Sequence, residues 1–152
     1  MPTLAELTPA DRARLLGKPE GELGVALSKV MNENNAQVIE AAYRRLCLET
    51  GHSVLEIGFG NGHTVPLLMN QAEALNYVGI DISETMVAEA TSFNQPLIDA
   101  VRAAFHCRAN TRSLSGSRRN VEDCLGGKIT RHGGSARTVN QGSAHDLSKI
   151  AP

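Results

Sequence analysis

Apolar and polar positions divide this chain into a patterned part and an unpatterned one. Thr8-Pro9 opens a short helix, with the threonine as cap and the proline in the first turn, where its missing N–H is not needed. Gly17 to Gly24, with Pro19, reads as a loop. Helical spacing resumes through Val25, Leu27, Val30 and Met31. The polar cluster Asn32-Glu33-Asn34-Asn35 predicts a break or kink. A second helical stretch carries Val38, Ile39, Ala42, Leu46 and Leu48, with Cys47 on its apolar side, and Gly51 ends it. Val54, Leu55 and Ile57 then form a run suited to a strand buried on both faces. A helix over 63–70 has Pro66 in its first turn, and Asn76 to Ile80 reads as a second strand. Ser83 caps a helix to about Ser92, with Glu84 in its first turn. Pro96 starts a new segment, Leu97 to Arg102, and Phe105-His106 begins a third strand. Beyond Cys107 the pattern fades. Leu, Ile, Val and Phe supply 7 of the 46 residues from 107 to 152, too few to build a core, and two glycine pairs interrupt any element.

Strand, helix, strand, helix is the order of an open α/β sheet. Its first strand runs into Gly58, Gly60 and Gly62, spaced by two. Such glycines admit positive φ and let a ligand approach the backbone at the carboxyl edge of a strand, where a helix start offers N–H groups. Asp81 ends the second strand 21 residues after Gly60. A carboxylate there suits the two hydroxyls of a ribose. The dinucleotide fingerprint asks for G-x-G-x-x-G, whereas this chain has G-x-G-x-G with His63 after it. Glu56, two residues before Gly58, favours a cationic ligand over a pyrophosphate. Both departures favour S-adenosylmethionine over NAD. His63 either orients a ligand or is a solvated first-turn residue, and the second reading is preferred.

With these motifs in place, E-I-G-F-G-N-G followed by Y-V-G-I-D-I-S-E-T-M resembles the first two motifs of class I S-adenosylmethionine-dependent methyltransferases. The group most resembled is the small-molecule methyltransferases of type 11. The resemblance spans roughly residues 17 to 106. It implies a Rossmann-like fold in which Glu56 and the turn of Gly58, Gly60 and Gly62 hold the methionine end of S-adenosyl-L-methionine. Asp81 would hold the ribose, with Ile82 and Met86 beside the adenine. Residues 17–35 resemble the family's leader, a helical arm that closes over the cofactor, which makes Met31 and Asn35 further contacts. The family pattern also requires a fourth strand, usually opening with an acid, then three more. None is legible after residue 107.

Composition changes this picture only at the tail. Residues 1–106 hold 7 Lys/Arg against 13 Asp/Glu, and residues 107–152 hold 8 against 3. The expected organisation is a helical arm over 1–50, a cofactor-binding half over 51–106, and a basic, disordered tail over 107–152. The texture suggests a truncated or frame-shifted methyltransferase with an incomplete sheet. Its bare first-strand edge invites self-association. The activity expected is methyl transfer to a small-molecule acceptor. The rivals are a non-catalytic remnant and an NAD-type oxidoreductase. Arg108, Arg112, Arg118 and Arg119 have no interleaved aromatic to stack on bases, which argues against nucleic acid as a partner. The three cysteines lack paired or metal-ligand spacing. No apolar run approaches a membrane span and no signal-peptide pattern opens the chain, so a cytoplasmic location is expected.

Overall fold

The computed structural model describes residues 4–108 and 137–140. A single 3₁₀ turn, Leu4–Glu6, leads into helix α1, Pro9–Gly17. The Thr8 hydroxyl accepts the Asp11 N–H at 3.1 Å, which is the cap its sequence calls for. Helix α2 runs unbroken over Gly21–Arg45. The expected break at Asn32–Asn35 is therefore corrected. Glu33 and Asn34 project into solvent, and Asn32 finds a partner described below, so no polar group of the cluster is buried unsatisfied enough to end the helix. The helix stops at Arg45, and Cys47 falls in a left-handed turn (φ +46°) where it is exposed rather than in the core.

Strand β1 (Ser53–Ile57), helix α3 (Val65–Met69), strand β2 (Asn76–Asp81), helices α4 (Glu84–Phe93) and α5 (Gln95–Asp99), and strand β3 (Ala103–Cys107) follow in order. The prolines of α3 and α5 both lie in first turns, as expected. Side chains alternate across the parallel strands, so Val54, Tyr77 and Ala103 share one face and Leu55 and Val78 the other. On the first face Tyr43 of α2, Val65, Leu68 and Met69 of α3, and Leu75 complete the main core. Leu55, Val78 and Ile80 form a smaller cluster on the second face. Among the described residues no helix is long and apolar enough to cross a membrane.

The sheet order is β3-β2-β1-β4, where β4 is Arg137–Asn140. It pairs in parallel with β1, with Leu55 opposite Thr138 and Glu56 opposite Val139. Two expectations are corrected here: the stretch after residue 107 does contribute a strand, and the edge of β1 is covered, so it is not the free surface for self-association read from the sequence. The cause is the backbone. An edge strand presents unpaired N–H and C=O groups, and any extended segment can satisfy them. Thr and Val are residue types that favour extended backbone. The expected disorder of the remaining tail, at 109–136 and 141–152, lies outside the described residues.

Candidate cofactor site

The carboxyl ends of β1 and β2 meet at the glycine turn. Gly58, Gly60 and Gly62 have φ of +76, +65 and +71°, a region that L side chains seldom adopt. Two of these glycines serve different ends. A Cβ on Gly60 would meet nothing within 4 Å, so the turn is open above it. A Cβ on Gly62 would lie 2.6 Å from Cβ of Ala90, so this glycine lets the turn pack against α4.

Asp81 closes the turn from the neighbouring strand. Its Oδ2 accepts the Gly60 N–H at 3.1 Å and its Oδ1 accepts the Ser83 N–H at 2.9 Å. The residue is 7% exposed. Burial raises its pKa above the ordinary carboxylate value, opposed by the N–H groups of Ser83, Gly60 and Ile82. Each carboxylate oxygen can accept a second hydrogen bond, so room for hydroxyl donors remains.

Several N–H groups of the turn are already engaged. Gly58 donates to the Ile80 carbonyl at 2.7 Å, and Val65 to Gly62 at 3.2 Å. His63 donates to Asn61 Oδ1 at 3.3 Å, and Gly60 to Asp81. The expectation of a helix start offering its N–H groups to a ligand is thus corrected at these four positions, and α3 is only five residues long. A pyrophosphate seated on these four N–H groups would displace internal bonds.

Glu56 lies buried near the end of β1. Its side chain has no accessible surface. Tyr43 donates to its two oxygens at 3.0 and 3.3 Å, and Tyr77 to Oε2 at 2.7 Å. Burial first, then the Glu56 charge, pushes the Tyr77 phenol well above its ordinary pKa, so it stays a donor. Met86 is also fully buried, beneath the N-terminal turn of α4, where its N–H caps onto Ser83 Oγ at 3.1 Å. The structure therefore gathers Gly58, Gly60 and Asp81 around one turn, with Ile82 exposed beside them and Gly62 buried against α4. It does not bring the side chains of Glu56 or Met86 to the surface of that turn.

Helix α2 is fastened across this region. Asn61, inside the glycine turn and 2% exposed, donates to Ser28 Oγ at 3.0 Å and accepts from Asn32 at 2.9 Å. The loop before α2 docks on the start of α4: Ser83 Oγ donates to the Pro19 carbonyl, and Gly21 N–H donates to Thr85 Oγ1 at 3.1 Å. Met31 and Asn35 are half-buried on the same helical face as Ser28, Asn32 and Tyr43. Sequence reasoning missed Ser28, Asn32, Tyr43 and Asn61. The signal was present in the i, i+4, i+15 spacing of Ser28, Asn32 and Tyr43, which puts polar groups on one otherwise apolar stripe. His63 is exposed and stacks on Phe93, with centroids 3.8 Å apart and rings 17° from parallel.

Parallel strands in this order, with a glycine turn closed by the acid of the next strand, define a Rossmann-like α/β fold. Residues 54–119, under half of the chain, match the family model described as methyltransferase domain, and the resemblance read from the motifs stands for this segment. Similar solved structures include a S-adenosylmethionine-dependent methyltransferase from Geobacter sulfurreducens, in complex with S-adenosyl-L-homocysteine. It is 22% identical over 67% of this chain and 47% of its own, with a TM-score of 0.40. A second, from Aquifex aeolicus, is 21% identical over 55% and 46%, with a TM-score of 0.45. The complex of the Haloferax volcanii Trm112 methyltransferase activator with a methyltransferase gives 23% identity over 55% and 35%, with a TM-score of 0.47. The chain spans less than half the length of each. No curated protein matches it.

Proposed function

We propose that residues 51–106 are the cofactor-binding half of a S-adenosyl-L-methionine-dependent methyltransferase acting on a small-molecule acceptor, with residues 1–50 as its arm. The observation that carries this is the glycine turn. Three residues with positive φ end β1, the Asp81 carboxylate ties Gly60 to the end of β2, and the space above Gly60 is open. Engagement of four turn N–H groups inside the protein supports a cofactor without a pyrophosphate and counts against NAD.

In this reading Asp81 accepts the ribose hydroxyls through its remaining lone pairs, and Ile82 flanks the base. Gly58, Gly60 and Gly62 let the methionine portion lie against backbone, while Met31 and Asn35 approach from α2. Glu56 and Met86 contribute from below, as a buried charge and a packing residue. The cofactor supplies a sulfonium methyl already activated for transfer, so the chain's task is to align the acceptor and exclude water. The small-molecule acceptor rests on the motif resemblance. Calorimetric titration with S-adenosyl-L-homocysteine and with NAD tests the cofactor: tighter binding of NAD would refute the assignment. Transfer of labelled methyl to small molecules, set against RNA and protein acceptors, tests the acceptor class.

A further inference from the structure

We propose that Tyr43 is a positioning residue for the glycine turn, linking the seating of helix α2 to the turn's geometry through Glu56 and Thr64. The inference rests on the cofactor reading for its consequence, and on geometry alone for its substance. Tyr43 lies near the end of α2 and is 1% exposed. A phenol has one proton, and Tyr43 shares it between the two Glu56 oxygens at 3.0 and 3.3 Å. Its oxygen also lies 3.0 Å from Thr64 Oγ1. With the phenolic proton engaged on Glu56, Thr64 is the donor of that bond. The result is one chain of hydrogen bonds, from Thr64 through Tyr43 to Glu56, with Tyr77 donating to Glu56 from the other side.

Thr64 makes this more than the satisfaction of a buried acid. It occupies the N-cap position of α3, where a threonine hydroxyl ordinarily accepts an N–H of the first turn. Here it makes no such cap bond and turns to Tyr43 instead. Thr64 stands two residues after Gly62, so whatever holds it holds the far end of the glycine turn. The same helix grips the middle of the turn through Asn61, which bonds Ser28 and Asn32. One face of α2 therefore sets the turn at two points. Tyr77 differs in kind. It belongs to β2 and bonds the same carboxylate, but the sheet, not α2, carries it.

That difference supplies the test on the full chain. Hydrogen exchange over residues 58–65 is followed, without ligand, for the wild type and for Tyr43→Phe, Thr64→Val and Tyr77→Phe. Thr64→Val removes the Tyr43 contact while leaving Glu56 both phenol donors, so it decides the matter even where Tyr43→Phe folds poorly. Tyr43→Phe and Thr64→Val are expected to speed exchange in 58–65 by about three- to tenfold, the scale of one neutral hydrogen bond. Tyr77→Phe is expected to leave that segment less affected than either. Acceleration by Tyr77→Phe equal to theirs, or none from Thr64→Val, overturns the proposal. Titration with S-adenosyl-L-homocysteine is the second arm. A Kd raised by Thr64→Val but not by Tyr77→Phe carries the positioning role through to the cofactor. A wild type that binds none defeats the cofactor reading, while the exchange comparison still decides the role of Tyr43.

Discussion

Glu56 near the end of β1 and Asp81 at the end of β2 are both buried acids within one small region, yet they are held by different kinds of partner. Glu56 accepts from two phenols, one on α2 and one on β2, and has no contact with solvent. Asp81 accepts from backbone N–H groups of the glycine turn and of Ser83, and keeps 7% of its surface open. The first arrangement joins helix to sheet. The second shapes a turn and leaves acceptor capacity at a surface. Two nearby acids thus divide between joining helix to sheet and closing the glycine turn, a division that spacing in the sequence does not reveal.

The sharpest way to break this comparison is to remove each acid. Glu56→Ala leaves two buried phenols without their acceptor and opens a cavity beside Val54 and Tyr77. It is expected to lower stability by about 2–5 kcal/mol in urea unfolding, through lost partners and lost packing. A stability change near zero would show that Glu56 is not structural. Asp81→Ala should instead be read in binding. Affinity for S-adenosyl-L-homocysteine is expected to fall by about 1.5–3 kcal/mol, the scale of hydrogen bonds to a charged group. Calorimetry checks it, with circular dichroism confirming the fold, and an unchanged Kd would place the ribose elsewhere.

The turn that joins the two acids offers a smaller contrast. Gly62→Ala is expected to destabilise by about 2–3 kcal/mol, because it adds a Cβ against Ala90 to a left-handed backbone. Gly60→Ala adds only the backbone term, about 1–2 kcal/mol, since its Cβ would enter open space. Thermal unfolding of the pair separates packing from conformation. Gly60→Ala is expected to lose more in cofactor affinity than in stability, because the added methyl occupies the space above the turn.

Elements with strong local signals were legible. Thr8 and Ser83 cap α1 and α4 through their hydroxyls, and β2 runs to Asp81 as its apolar run implied. The glycine turn and its closing acid could be located because positive φ and strand-end carboxylates constrain residue type strongly. What escaped was fixed by partners distant in sequence. The continuity of α2 through Asn32 depends on Asn61, 29 residues away. The burial of Glu56 depends on Tyr43, 13 residues before it, and on Tyr77, 21 residues after it, and neither pairing is announced by residue spacing. Strand β4 was invisible because backbone pairing to β1 defines it, and Arg-Thr-Val-Asn has no apolar run to announce it.

The smallest expected effect concerns pH, and it separates the two acids without changing the fold. Burial raises the Asp81 pKa above the ordinary 3.8, because the charged form has lost solvent. For the free protein the sign follows directly. Stability contributed by the neutral form is full below the unfolded value and is lost as pH rises through the raised folded one. Binding runs the other way. In the function proposed above, ribose hydroxyls would donate to the carboxylate, so a bound cofactor would favour the charged form and the complex would form with release of a proton. Affinity is therefore expected to fall as pH drops through the raised Asp81 value, by no more than about tenfold per pH unit, the limit for a single proton. The acid limb should begin above the pH at which an ordinary carboxylate titrates. Asp81→Asn should weaken binding and flatten this limb, whereas Tyr77→Phe, which acts at Glu56, should leave it in place. Calorimetry in two buffers of different ionisation enthalpy measures the proton released. A limb that persists in Asp81→Asn would assign the titration to another group and dissolve the division between the two acids.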